Sequence, residues 1–343
     1  MTREETAPLT TDGTIALANL QAQIDGLAAR PRRAASGRSG PVVAASALLV
    51  DLLLLRGRLL GRIADYERAG ALAEALVLDV PDDGTARLAR ARTRAVFHRF
   101  PEALADLDAA GLRGAERTVL DGERAAILQA VGCHNDALVL LREAAGHRAD
   151  STTLGALAVL QAERGQVTEA EELFTQARRL YRGVSPFPVA ELDFRQGLMW
   201  LGTGDLPAAR AWFDAAVHRV PAHAPALGHR AEVDAAMRAN AAAVATLRPL
   251  VTSSDDPEYA ATLARVLEEA GHRLEAEQWR LRAAARYDEL VSCHPEAFAD
   301  HAAEFWLTVG GDRRRGLALA AQSRAQRRTS RADALLRDAL PAG

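Results

Sequence analysis

The chain has 343 residues, 49% hydrophobic and 25% charged, with a formal net charge of −3. That balance excludes a disordered chain, and the near-neutral charge excludes a general attraction to nucleic acid or anionic lipid. All 42 basic residues are arginine, and the two cysteines, Cys133 and Cys293, are far apart with no CxxC pair. No disulfide framework is expected, and a reducing, cytoplasmic setting is the simplest reading.

Residues 1–40 predict an N-terminal helix plus a flexible linker. Thr14 to Ala29 carries a stripe of Leu17, Leu20, Ile24 and Leu27 at helical spacing, and Pro31 to Gly40 reads as the linker. The next helix holds the most apolar run, Val42 to Leu55, interrupted by Asp51. It is too short to span a bilayer and too deep for a signal-peptide core. Its Leu52 to Leu55 segment is apolar on every side and must be covered on every side. The Leu17 stripe folding back over it is one way to do so. A homodimer through the N-terminal helices, or an autoinhibitory helix lying in a groove, are the others.

From about residue 50 the sequence repeats. Small residues recur in one column at Gly57, Ala91, Ala125, Ala158, Gly197, Ala231, Ala264 and Ala303. A second column follows at Ala69, Ala103, Ala137, Ala170, Ala209, Ala243, Ala276 and Gly316. A third runs through Leu76, Ala110, Ala144, Ala177, Ala216, Leu250, Ala283 and Ser323. Bulky residues at Leu107, Leu141, Phe174, Phe213 and Leu247 sit between the last two, and the pattern fails at Ala73, Arg280 and Ala320. Hinge glycines stand at Gly132, Gly165, Gly204, Gly271 and Gly310. Each unit therefore reads as two helices joined at a glycine, with small residues permitting close approach and bulky ones filling the gap. Asp256-Pro257-Glu258 supplies a helix cap, a first-turn proline and an early acid. Residues 41–330 form this array, and 331–343 read as a C-terminal capping helix.

The unit from Ala190, with Gly197, Trp200, Gly204, Ala209, Phe213, Ala216 and Pro221, resembles the tetratricopeptide repeat of about 34 residues. The unit from Ser151 is similar, with Leu154, Leu157, Ala158, Gly165, Ala170, Phe174 and Ala177. The tryptophan usual early in the family's first helix is absent. The resemblance implies an all-α, right-handed α-solenoid of about eight units. It also implies a concave groove lined by the first helices, where a peptide, helix or protein partner would bind.

Carried onto this sequence, the groove would take Arg58, Arg62 and Arg92 from the first units. Phe194, Leu198 and Leu201 would form its middle, beside Gly122, Ala126, Gly155 and Val159. Glu232, Glu258, Arg265, Glu268, Glu269, Asp300 and Glu304 would form its end. The expected groove runs basic, apolar, then acidic, with its anchors near Phe194. This suggests an oppositely polarised partner segment. No GxSxG, Walker loop or GxGxxG motif stands on a strand, so an enzyme is not expected, nor a cofactor. A small molecule or metal in the groove is the alternative. His218, His223 and His229 cluster around one turn, and Cys293, His294, His301 and Glu304 around another, neither with zinc-motif spacing. The C-terminal arginines lack interleaved aromatics, so nucleic acid is an unfavoured partner, and no membrane contact is expected.

Overall fold

The computed structural model describes residues 8–30, 39–326, 333 and 335–337. The expected linker over 31–38 and most of the C-terminal helix expected over 331–343 lie outside the described residues. An N-terminal helix, α1 (Gly13–Ala28), precedes eight helical hairpins. They are α2 (Ser39–Leu60) with α3 (Ile63–Asp79), α4 (Gly84–Val96) with α5 (Phe100–Gly111), α6 (Arg117–Ala130) with α7 (His134–His147), and α8 (Ser151–Glu163) with α9 (Val167–Leu180). Then come α10 (Phe187–Thr203) with α11 (Leu206–Arg219), α12 (Ala224–Ala236) with α13 (Asn240–Ser253), α14 (Pro257–Glu269) with α15 (Arg273–Cys293), and α16 (Pro295–Leu307) with α17 (Arg313–Gln326). Among the described residues there is no strand.

The repeated columns are the packing contacts. Ala125, Ala158 and Ala231 of the first helices are fully buried, as are Ala103, Ala137, Ala170, Ala209 and Ala243 of the second. Small side chains let the paired helices close on one another, and Leu107, Phe174, Phe213 and Leu247, also fully buried, fill the space beside them. At Ala73 and Ala320, where the bulky column fails, the position is still fully buried, so a smaller side chain occupies the same site.

Each hinge needs one residue in the left-handed region, and Gly132, Gly165, Gly204 and Gly271 supply it at φ 76 to 85°. In the last unit the residue is Gly311, not the expected Gly310, because that turn is one residue longer. Two units use other residues: His98 (φ 56°) and Arg238 (φ 64°). A side chain there costs on the order of 1 kcal/mol, and His98 uses its position, as shown below.

Neighbouring first helices touch one another, α2 with α4, α4 with α6, α6 with α8 and α12 with α14, whereas second helices do not reach comparable contact. The stack therefore curls toward its first helices, which form the inner wall. The curl is tight enough that α2 also meets α12. Helix α1 lies across this closure. Its Leu20 and Ile24 are buried in one apolar cluster with Val43, Val50 and Leu53 of α2 and with Phe187, Ala190 and Val220 from the fifth unit. The Leu17 stripe is thus covered within one chain, and α2 gains the all-round burial its leucines require. No helix among the described residues is long and apolar enough to cross a membrane.

Candidate functional site

The inner wall differs from end to end. At the N-terminal end, arginines are clamped by carboxylates. Arg92 of α4 reaches Asp51 of α2 at 2.8 Å and Glu123 of α6 at 2.6 Å, a ladder across three adjacent first helices. Deeper in the same units, the buried Asp106 accepts hydrogen bonds from Arg87, Arg90 and Arg94, while Glu74 takes Arg90 and Arg94. Arg62 caps no carboxylate. It ends α2's turn and donates from Nε to the Ser253 carbonyl at 3.4 Å. Arg58 is exposed on the inner wall, within electrostatic reach of Glu191 and Tyr66.

The middle is more closed than the groove expectation held. Phe194 is 6% exposed. Its ring lies against Phe213, His223 and His229 at centroid distances of 5.9, 5.4 and 5.7 Å. It is part of the wall, because the curl brings α12 over α10, and it is not an anchor open to a partner. Leu198 and Leu201 are half-buried in the same cluster. Beside them, Arg195 donates to Glu191 at 2.7 Å. The fully buried His223 accepts the Ala226 amide on Nδ1, and its Nε2 lies 3.8 Å from Glu191. Burial works against the Glu191 charge, but Arg195, His223 and Arg58 together hold its carboxyl well below the usual carboxylate range.

The acidic end carries a pocket. Helices α12, α14 and α16 enclose a cavity of about 170 Å³ lined by Glu232, Glu258, Arg265, His301 and Glu304, with Thr262, Tyr287 and Phe305 as its walls. Four residues expected in the groove, Glu232, Glu258, Arg265 and Glu304, therefore meet at one place. Two of the carboxylates, those of Glu232 and Glu258, face histidines. Glu232 lies 2.8 Å from His229, and Glu258 lies 3.9 Å from His301. Arg265, the pocket's arginine, directs Nη1 to Glu269 at 3.0 Å. Burial opposes the charges of His229 and Glu232, yet their mutual contact raises the imidazole above its ordinary value and lowers the carboxyl. At the rim, burial, with Glu258 beside it, pushes Asp256 up to about 7.

Three residues expected at this end, Glu268, Glu269 and Asp300, are not in this pocket. Glu268 is exposed and lies 3.6 Å from Arg273. Asp300 is 7% exposed and its carboxylate accepts the His301 amide at 3.0 Å, so it turns back on its own helix. The two histidine clusters do not assemble as metal sites: among the described residues, no group of three or more His, Cys, Asp or Glu side chains is arranged to hold a metal ion. His294 is instead stacked on Phe97 and lies 3.4 Å from Glu67. Cys133 and Cys293 are free and exposed. Sequence reasoning missed Glu191, Arg195 and Tyr259. The i, i+4 spacing of Glu191 and Arg195 was the available signal.

No protein-family profile matches the sequence, and no curated protein matches it. Solved structures do. The human IFIT1 dimer with m7Gppp-AAAA is 15% identical, covering 90% of this chain and 78% of that one, with a TM-score of 0.58. The APC/C hetero-tetramer Cut9-Hcn1 is 14% identical, covering 94% of this chain, with a TM-score of 0.52. This chain spans 59% of that protein's matched chain. A tetratricopeptide repeat protein from Parabacteroides merdae also matches, at 15% identity over 71% of this chain and 92% of that one, with a TM-score of 0.44. By its repeated columns, its eight hairpins and this likeness of fold, the chain is a tetratricopeptide-repeat-like α-solenoid.

Proposed function

We propose that this protein is a non-catalytic interaction module whose inner wall holds a cationic segment of a protein partner, with an arginine or lysine side chain seated between Glu232, Glu258 and Glu304. The observation that carries the reading is the pocket of about 170 Å³, in which three glutamates face one arginine and two aromatic rings form the walls. A guanidinium or ammonium group would gain charge-assisted hydrogen bonds from the carboxylates and lie against the Tyr287 and Phe305 rings. The arginines of the first units support the same conclusion from the other side. Arg92 is already neutralised by Asp51 and Glu123, so the groove offers a partner less positive charge than the sequence suggests. The partner needs one sign of charge, not two.

The IFIT1 structures contain RNA with a 5′-triphosphate or cap. Phosphates would meet the three pocket glutamates here, so RNA is not the reading we adopt. The test is fluorescence anisotropy with three probes: a short arginine- and leucine-containing peptide, its glutamate-for-arginine counterpart, and a 5′-triphosphate oligoadenylate. Binding of the first alone is expected. Preferential binding of either anionic probe would overturn the proposal.

A further inference from the structure

The two ends of the superhelix are joined along a seam, and the seam repeats. Gly13 at the start of α1 packs on the Arg219 carbonyl and Val220, in the turn before α12. One unit later, the hinge after α2 meets the turn before α14. There the Ile63 and Ala64 amides donate to the two oxygens of Asp255, at 2.6 and 3.0 Å, and Ser254 donates to the Gly61 carbonyl. One unit later again, the hinge after α4 meets the turn before α16. Phe97 stacks on His294 with centroids 4.0 Å apart, and His98 Nδ1 lies 3.3 Å from the Glu296 carbonyl. Each rung joins a unit to the one six places on.

The rungs differ in kind. The first is apolar, since α1 shares its buried cluster with Phe187, Ala190 and Val220. The second rests mainly on hydrogen bonds from half-exposed groups, and the third on the stack of the buried Phe97 against His294 with one contact from His98. One aromatic wedge serves the second rung: Tyr259 fits between Gly61 and Gly228, where an added methyl would approach its ring to 2.8 and 2.6 Å. His98 stands in the left-handed hinge conformation that most units give to glycine, and it spends its side chain on the third rung. Hydrogen bonds that water can replace contribute little net stability, whereas buried apolar contact holds.

We infer that the seam is a releasable clasp, pinned at α1 and opening at the Asp255 and His294 rungs, and that it sets access to the inner wall. The clasp stands on its own contacts; that it regulates a cationic partner rests on the pocket reading above. A partner that needs the open state sees its affinity lowered by the fraction of molecules that are open, so a clasp closed about nine-tenths of the time weakens apparent binding about tenfold.

The test uses the full chain carrying Cys133→Ser, with spin labels on the native Cys293 and on Ala71→Cys, which lie on opposite sides of the seam. Pulsed electron–electron distance measurement should give one dominant narrow distance with a minor longer one. Adding Asp255→Ala with His294→Ala should lengthen and broaden it, with helical content unchanged by circular dichroism. Bridging the same two cysteines with a short bismaleimide locks the clasp and should abolish binding of the arginine-leucine peptide, whereas the released variant should bind up to about tenfold more tightly than the unbridged protein. An unchanged distance in the double variant, or equal peptide affinity in the locked and unlocked proteins, overturns the clasp. If the peptide binds no form while the distance still responds, the pocket reading fails and the clasp stands.

Discussion

The first two units and the last three use charge in opposite ways. Around α4 the arginines are sewn into the structure: Asp106 is 3% exposed at its side chain and accepts three guanidinium groups, and Arg92 bridges two neighbouring first helices. Around α14 the carboxylates line a cavity, and Glu232 and Glu258 lie 2.8 and 3.9 Å from histidines. Both regions show charged residues at corresponding inner-wall positions of a repeat. The lesson is that the sign of a groove cannot be read from residue type alone, because a neighbouring unit can cancel it.

This difference can be broken at either end. The largest effect is expected from Asp106→Ala, which leaves three arginines crowded without their common partner. It should cost about 3–5 kcal/mol in urea denaturation; a loss below 1 kcal/mol would show that these charges are not structural. At the other end, Glu232→Gln with Glu304→Gln should change stability by less than about 1 kcal/mol and weaken the arginine-leucine peptide by about tenfold or more. Unchanged affinity would remove the distinction between the two ends.

Asp256→Asn sharpens the comparison within the acidic end. The native carboxyl titrates near 7 against an ordinary 3.8, so the folded state holds the proton more tightly. Stability from this group is full below 3.8 and is lost as pH rises through about 7. Asparagine keeps the cap to the Glu258 amide without the titration. The variant should gain up to about 4 kcal/mol on wild type between pH 4 and pH 8, seen in urea curves at both. Arg92→Ala should cost about 1 kcal/mol and leave peptide affinity unchanged, since its ion pairs are part-exposed; a binding defect would return Arg92 to the partner site. The smallest effect is on pH dependence of binding. His229 is raised above its ordinary 6.5 by Glu232, and as pH rises through its titration the pocket loses a positive charge. Affinity for the arginine-leucine peptide should rise a few-fold from pH 6 to pH 8 and rise less steeply in a His229→Gln variant, which keeps only the contribution of Asp256.

The helical hairpins were legible because close approach of two helices admits few residues. Ala170, Ala209 and Ala243 could be read at sight as contact positions, and they are fully buried. The pocket was half legible: Glu232, Glu258, Arg265 and Glu304 were placed on the inner wall by a register within each unit, and all four line one cavity. Phe194 and Asp300 were misplaced because their surroundings depend on the curl between units. His223 and His229 reach Phe194 only when α12 folds over α10. The seam was illegible for the same reason. Asp255 caps an amide 192 residues away, a distance no local pattern spans. One trace of it does stand in the sequence, as His98 in a column of hinge glycines.

The central claim is that a cationic partner segment binds at the α12–α14–α16 end and not along the arginine ladder. Methyl-detected NMR of alanine-, threonine- and valine-labelled protein, titrated with the arginine-leucine peptide, tests it most directly. The prediction is that shifts concentrate at Ala261, Thr262 and Val309, which line the pocket, while Ala89 and Ala91 near the ladder stay still. Shifts centred on α4 and α6, with the pocket methyls unmoved, would contradict it.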